Sequence, residues 1–364
     1  MKFFFTIFSI TLFYTTGFSQ NNAFIISGKV TSSETKMPLQ GASVFAENTT
    51  FGTATDAEGN FKLWLPAGGY DIVITFTGHT TESKRITSSE KNENLYFEIR
   101  QREKEMESVS IVSTNEVKDG WNKYGNFFEE QFIGKTANSS QCNILNKEVL
   151  KFFFSKKRNR LKITSSEPLQ IENKALGYTI KYALDSFTHE YATQVSLYTG
   201  YPLFEEMIPA SEAQKSAWDS ARYYAYNGSI LHFMRSLYRK ELKEQGFEIQ
   251  FVVKTNEKDN AITLKDFYGA MNYQRDDSTQ TVEVRPNQKD VGIIYTKEDP
   301  ADAFIKDNPG ELPGFQFSIL SFLPGESIII EQNGYYFEQN DLTIHEYWTW
   351  EKVADLLPYD YTGF

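Results

Sequence analysis

Apolar residues at every second position mark the first part of the chain. In Phe61-Lys62-Leu63-Trp64-Leu65 and in Tyr70-Asp71-Ile72-Val73-Ile74-Thr75-Phe76 this alternation gives a strand one face for a core. Pro66 and Gly68-Gly69 mark the turn between the two. Strands are expected at Ile25–Thr31, Ala42–Glu47, Gly52–Thr55, Phe61–Leu65, Tyr70–Thr77, Leu95–Arg100 and Val109–Ser113, with no helical period among them. That succession predicts a sandwich rather than βαβ units. Trp64 and Ile74 are expected on inward faces, although strict alternation sets Trp64 against Phe61, Leu63 and Leu65. In Thr55-Asp56-Ala57-Glu58-Gly59, an Asx turn at Asp56 and a positive φ at Gly59 would close a hairpin. The segment lacks the further oxygen ligands of an EF-hand calcium loop.

The pattern changes after the charged run Gln101 to Glu107. From Trp121 onward helical and strand periods mix, which predicts an α+β region. One helix is expected over Ser229 to Gln245, with Ile230, Phe233, Met234, Leu237 and Leu242 on one stripe, Ser229 as N-cap and Gly246 as the stop. Another is expected over Ser211 to Tyr224, and strands at Ala175–Leu184, Thr193–Tyr198 and Phe247–Lys254. The last hundred or so residues read as β-rich, with Ser327 to Gln332 and Tyr335 to Glu338 joined by the hairpin signal Asn333-Gly334. A short helix around Trp350 to Leu357 would end before Pro358.

Several segments together resemble the carboxypeptidase-like regulatory family in order and spacing. They are Gly28-Lys29-Val30, Pro38-Leu39-Gln40-Gly41-Ala42-Ser43-Val44, the run from Gly52 through Asp56 and Gly59 to Phe61, Pro66 to Tyr70, and Gly78. The likeness covers about a quarter of the chain. His79 departs from it, standing where the family usually has an aromatic residue. The resemblance implies a transthyretin-like (prealbumin-like) sandwich of about seven strands, a module that Gram-negative, Bacteroidota-type envelope proteins carry beside many unrelated partners. Segments such as Arg222 to Leu237 and Tyr347 to Tyr361 are also similar to parts of such envelope proteins, with no activity to carry over. The expected organisation is a signal peptide over 1–19, an all-β sandwich over 20–114, and an α+β region of unknown fold over 115–364 that turns β-rich from about 280.

Export follows from the first residues. Lys2 is the positive start, Phe3 to Tyr14 the apolar run, and Gly17 and Ser19 the small residues before a cut expected between Ser19 and Gln20. No later stretch approaches the roughly 20 apolar residues of a spanning helix, so at most peripheral membrane association is expected. The destination expected is the periplasm or the outer-membrane surface. The net charge of −11 argues against nucleic acid as a partner. Cys142 is the only cysteine, so no disulfide forms within one chain and packing must hold the fold; a buried thiol is expected there.

The candidate chemistry is sparse. His79-Thr80-Thr81-Glu82 with the distant His189 has the spacing by which zinc carboxypeptidases set two nitrogens and a carboxylate around a metal. Chance supplies such a tetrad readily, and this one falls inside the sandwich, so no metal or other cofactor is expected. No Gly-x-Ser-x-Gly, His-Glu-x-x-His or glycine-rich phosphate loop occurs. The adjacent acids Glu205-Glu206 and Asp276-Asp277 read as solvated. Lys156, Lys157, Arg158 and Arg160, beside Phe152 to Phe154, form the one basic cluster with aromatics. It is a possible contact for an acidic partner, but reads first as a solvated hairpin. Phe364 as a final aromatic raises an outer-membrane barrel, but Thr362, Asp360 and Pro358 would then face lipid.

Two functions remain from the sequence. One is a non-catalytic envelope protein whose sandwich is an accessory or interaction module and whose C-terminal region binds a protein or glycan partner. The other is an envelope hydrolase with a site in the C-terminal region that no local motif reveals.

Overall fold

The structure, a computed structural model, describes residues 23–101, 115–256, 258–310, 314–337 and 339–363. The signal peptide over 1–19, the strand Val109–Ser113, the charged run after Gln101, the boundary between 114 and 115, and Phe364 lie outside the described residues.

The N-terminal unit is a sandwich of two sheets. Its strands are β1 (Ala23–Ser32), β2 (Ser43–Ala46), β3 (Gly52–Ala54), β4 (Asn60–Pro66), β5 (Gly69–Thr75), β6 (Glu82–Thr87) and β7 (Leu95–Ile99). One sheet has the order β4-β1-β7, with β7 parallel to β1, and the other β3-β2-β5-β6. Ile26, Val30, Val44, Leu65, Ile72 and Ile74 fill the space between them. The alternation of β4 puts Phe61, Leu63 and Leu65 inside and leaves Trp64 59% exposed under the Lys62 ammonium, which corrects the inward placement expected for that residue. Ile74 is fully buried. Sequence patterning missed β6, because Glu82-Ser83-Lys84-Arg85-Ile86-Thr87 carries a single apolar side chain. The Asx turn at Asp56 forms, its carboxylate accepting from the Glu58 and Asn60 amides at 3.0 and 2.7 Å, but it joins β3 and β4 of different sheets and so closes no hairpin, which corrects that expectation. Gly59 takes φ +77°, and a Cβ there would stand 2.6 Å from the Val30 carbonyl oxygen.

The rest of the chain is an α+β region built around two cores. The first has α1 (Gly120–Phe132) over a six-stranded sheet of β8 (Cys142–Ile144), β9 (Leu150–Ser155), β10 (Arg160–Ser165), β11 (Leu169–Asn173), β12 (Tyr178–Glu190) and β13 (Val195–Glu206). β12 is its spine, with β13 along one edge and β11 then β10 along the other. Helix α1 was not legible, since its aromatics and Gly125 give it weak intrinsic preference. Burial of Phe128 and Phe132 against Phe187 and Tyr182 decides it. Cys142 is buried here, and burial pushes its thiol up to about 12.

Two helices lead to the second core. α2 (Glu212–Tyr226) starts on Ser211, whose side chain accepts from the Gln214 amide, and α3 (Ile230–Arg239) starts on Ser229, which accepts from the His232 amide. The expected run to Gln245 stops six residues early. Lys240 turns left-handed at φ +60°, and the Glu241 amide closes back on the Ser236 carbonyl at 2.8 Å in a Schellman-type end. Tertiary contacts hold this end: the Lys240 ammonium lies 4.3 Å from the Tyr273 ring centroid, and the Leu242 amide donates to the Tyr268 hydroxyl. Leu242 is fully buried, from a loop and not from the helix.

The second core lies among β14 (Phe247–Thr255), β15 (Lys258–Thr263), α4 (Phe267–Ala270), β16 (Gln274–Asp276), β17 (Thr281–Val284), β18 (Asp290–Tyr295), α5 (Asp302–Asp307), β19 (Gln316–Phe322), β20 (Ile328–Ile330) and β21 (Leu342–Glu346). The sheets have the orders β15-β14-β18-β19-β21 and β16-β17-β20. At Asn333-Gly334 the chain reverses, with Gly334 at φ +91° and the Glu331 amide donating to the Tyr335 carbonyl. The helix expected around Trp350 to Leu357 is replaced by two 3₁₀ turns, Tyr347–Thr349 and Val353–Asp355. The Ala354 amide bonds instead to the Ile133 carbonyl and the Tyr359 amide to the Asn48 carbonyl, drawing the segment out across all three units.

The sandwich docks through the outer face of β2 and β5. Phe45 and Val73 are buried against Leu203 of β13, and Thr49 bridges in parallel to Leu203. Beside this patch Arg85 pairs with Glu331 at 2.7 Å and lies 3.8 Å from the Phe337 ring centroid, while the Tyr335 hydroxyl donates to Asp71. Burial, then the Asp71 charge, pushes Glu47 in this seam up to about 8 from an ordinary value near 4.5.

Ile74→Ala in the full chain should cost about 2–5 kcal/mol in denaturant unfolding, and Trp64→Ala less than about 1 kcal/mol. Glu47 predicts a pH dependence. Between about 4.5 and about 8 the folded state holds a proton that the unfolded chain has released, so stability falls as pH rises through that window. Glu47→Gln should flatten this slope and stabilise the protein at pH 8 by at least about 1 kcal/mol relative to wild type, read from urea unfolding at pH 5 and 8.

Candidate functional site

A cleft of about 950 Å³ opens between the sandwich, the helices α2 and α3 and the C-terminal segment. The sandwich contributes its β2–β3 and β4–β5 turns through Phe51, Pro66 and Tyr70. The opposite wall is the elbow between α2 and α3, and the segment Tyr359 to Gly363 and the turn Gln332-Asn333 close the ends.

Gly228 makes the elbow. It takes φ +77°, and a Cβ on it would stand 2.4 Å from the Gln316 side-chain oxygen and 2.8 Å from the Tyr295 ring. Its carbonyl accepts from the Trp348 indole at 2.7 Å, and its amide donates to Nδ1 of His232 at 3.2 Å. Since Nδ1 accepts, Nε2 carries the proton and donates to the Gln245 side-chain oxygen at 3.3 Å. The imidazole packs on Tyr226 and Phe247, and burial lowers it to about 4. His232 therefore stays neutral near pH 7 and braces the elbow.

One turn on, Arg235 is 6% exposed. Its Nε donates to the Asn333 carbonyl at 2.8 Å and its Nη2 to the Tyr359 carbonyl at 3.0 Å, so one guanidinium ties the turn and the C-terminal segment to α3. The Tyr226 ring centroid lies 5.5 Å from it. Asp360 faces the sandwich, where it accepts from the Thr50 amide at 2.9 Å and from the Thr50 hydroxyl. Burial raises Glu298, also in the wall, to about 7.

Ser236 and His232 both line the cleft without forming a nucleophile and base. The Ser236 hydroxyl donates to the His232 carbonyl, and both imidazole nitrogens are committed elsewhere. What the walls offer is tyrosine side chains, side-chain amides, cations and the carboxylates of Glu241, Glu298 and Asp360.

The residues singled out in the sequence lie away from this cleft. His79 follows β5 and turns its Nδ1 to the Thr77 carbonyl, and Glu82 is exposed at the start of β6. His189 is buried on β12 between Phe127 and Tyr191, 2.9 Å from the Ser196 hydroxyl. The structure does not gather these three. Among the described residues no three His, Cys, Asp or Glu side chains stand together as a metal site. Lys156, Lys157 and Arg158 are exposed in the β9–β10 hairpin turn, and Arg160 pairs with Glu190 at 3.1 Å. His232, Arg235, Tyr226 and Glu298 were missed as site residues. The available signal was His232 and Arg235 at i and i+3 among the apolar residues Leu231, Phe233, Met234 and Leu237 of a short helix, where a buried polar group needs a reason.

The seven-strand sandwich defines the class of the N-terminal unit. Residues 26–111 match the family described as CarboxypepD_reg-like domain, as the sequence resemblance implied. A TonB-dependent receptor of Formosa agariphila is 27% identical over 93 residues, which are 26% of this chain. The match spans only 9% of that receptor's length. A type II cohesin–X-dockerin complex from Acetivibrio cellulolyticus is 26% identical over 20% of this chain and 51% of its own, with a TM-score of 0.17, too low to carry an argument. Among the described residues no helix is long and apolar enough to cross a membrane.

His232 should stay neutral from pH 8 down to about 5 in heteronuclear NMR, with the proton on Nε2. Its unfolded value near 6.5 lies above the folded one, so its contribution to stability is present above pH 6.5 and is lost as pH falls toward 4.

Proposed function

We propose that the chain is a non-catalytic protein of the cell envelope, exported to the periplasm or outer-membrane surface, whose C-terminal region binds a glycan in the cleft it forms with the sandwich. The sandwich acts as an accessory module that completes one wall. The regulatory-domain match and the receptor relative support the envelope setting.

One observation carries the binding reading: a 950 Å³ concavity lined by Tyr223 and Tyr226 of α2 and by Tyr359 of the C-terminal segment, with the more deeply buried Tyr70 and Tyr295 behind them and the amides of Asn227, Gln245, Gln332 and Asn333 among them. Ring faces take the apolar faces of pyranoses, and amides take hydroxyls as both donor and acceptor. A glycan suits it better than an extended peptide. The sandwich, hairpin and helix segments in the wall are turns and helix faces rather than an open strand edge, so a peptide finds no ladder to extend.

Isothermal titration of the purified full chain with oligosaccharides should show saturable binding. Tyr226→Ala should weaken it at least about tenfold, the scale of a lost aromatic anchor. The glycan should be recovered intact after prolonged incubation. Cleavage of the oligosaccharide would overturn the non-catalytic part of this reading, and binding indifferent to Tyr226→Ala would overturn the cleft.

A further inference from the structure

Arg235 carries a guanidinium into the wall of the cleft. It is 6% exposed, and among the described residues no carboxylate lies within the 4.0 Å of an ion pair. Its hydrogen bonds run to two backbone carbonyls, which satisfy donors but supply no countercharge. A guanidinium taken out of water is normally matched by an anion, because desolvating a charge is costly and neutral dipoles offset only part of that cost.

The same wall holds two more cations, Arg239 one turn further along α3 and Lys297 beyond β18. Arg239 is exposed and has no ion-pair partner among the described residues. Three carboxylates line the cleft as well. Asp360 acts on Arg235 from beyond ion-pair distance while it accepts from Thr50, and burial leaves Glu298 partly protonated near neutral pH. Glu241 follows the end of α3, two residues after Arg239. With Nε and one Nη2 proton given to the two carbonyls, Nη1 and the second Nη2 proton are what Arg235 has left for the oxygens of a carboxylate or sulfate.

We propose that the glycan taken by this cleft is acidic, and that Arg235, with Arg239 at the mouth, receives a carboxylate or sulfate on the sugar. This inference rests on the cleft-binding reading above and specifies its ligand class. The tyrosines stack the sugar rings and the guanidinium sets their register, so the anion supplies selectivity over neutral glycans of the same backbone.

The test compares four probes on the full chain by calorimetry: tetragalacturonate, its fully methyl-esterified form, a galactose tetrasaccharide sulfated at O6, and a glutamate tetrapeptide. Tetragalacturonate or the sulfated sugar should bind at least about tenfold more tightly than the neutral ester, and which of the two binds tighter identifies the anion. Arg235→Met should abolish this preference, and Arg235→Lys should restore only part of it. Arg235 also ties two backbone segments, so Arg239→Met is the second variant. It removes an exposed side chain and should reduce the preference about threefold with unchanged thermal unfolding.

Equal affinity for tetragalacturonate and its ester, or a preference that survives Arg235→Met in a folded protein, would overturn the acidic-ligand inference and leave glycan binding standing. Binding of the glutamate peptide as tightly as tetragalacturonate would overturn the choice of a glycan. No binding of any saccharide would overturn the cleft reading and this inference together.

Discussion

Arg85 carries a positive charge into the seam between the sandwich and the C-terminal region, and the arrangement of the molecule depends on where that charge finds its partners. It meets Glu331 at 2.7 Å, just before the Asn333-Gly334 turn, and lies against the rings of Tyr335 and Phe337. The Tyr335 hydroxyl reaches back to Asp71 of the sandwich. Such a pair contributes little net stability, because desolvation offsets much of its attraction, but leaving either charge alone would be costly. Its effect is therefore one of register. Phe45, Val73 and Leu203 supply the apolar contact that favours docking, and the charges select one orientation.

That orientation makes the cleft. Phe51 and Tyr70 on the sandwich face α2 and α3 only because the β2–β5–β6 sheet is held against β13 and the Glu331 turn. The C-terminal segment then runs between them, fixed to the sandwich through Asn48 and Thr50 and to α3 through Arg235. The cleft is thus a property of the assembled units and of no single element.

Much of the sandwich was legible because its strands and turns are marked locally. Apolar alternation in β4 and β5, and the glycine and aspartate turns, act over a few residues, whereas the pairing of those strands, such as Ser43 with Thr75 or Gly28 with Leu95, was settled by the fold. Errors arose where a single periodic cue was stretched. Trp64 is apolar in type but sits on the outer phase of β4. The apolar stripe of α3 continues in sequence to Leu242, yet the helix ends at Arg239 because Lys240 and Leu242 are captured by Tyr273 and Tyr268. The helix expected around 350–357 gives way to two 3₁₀ turns, with the Ala354 amide drawn to the Ile133 carbonyl.

The candidate site shows the sharper division. From the chain alone came the two-sheet sandwich, the α+β character of the region C-terminal to it, the helix beginning near Ser211, the N-cap at Ser229, and the hairpin carrying Lys156 to Arg158. Each arises from backbone and side-chain preferences that act over a few residues. Only the tertiary structure separated His79 and Glu82 from His189, and brought Arg235 to the carbonyls of Asn333 and Tyr359. Those carbonyls lie 98 and 124 residues away along the chain. Contacts at that distance depend on how separate cores pack, and no local periodicity encodes which surfaces will meet.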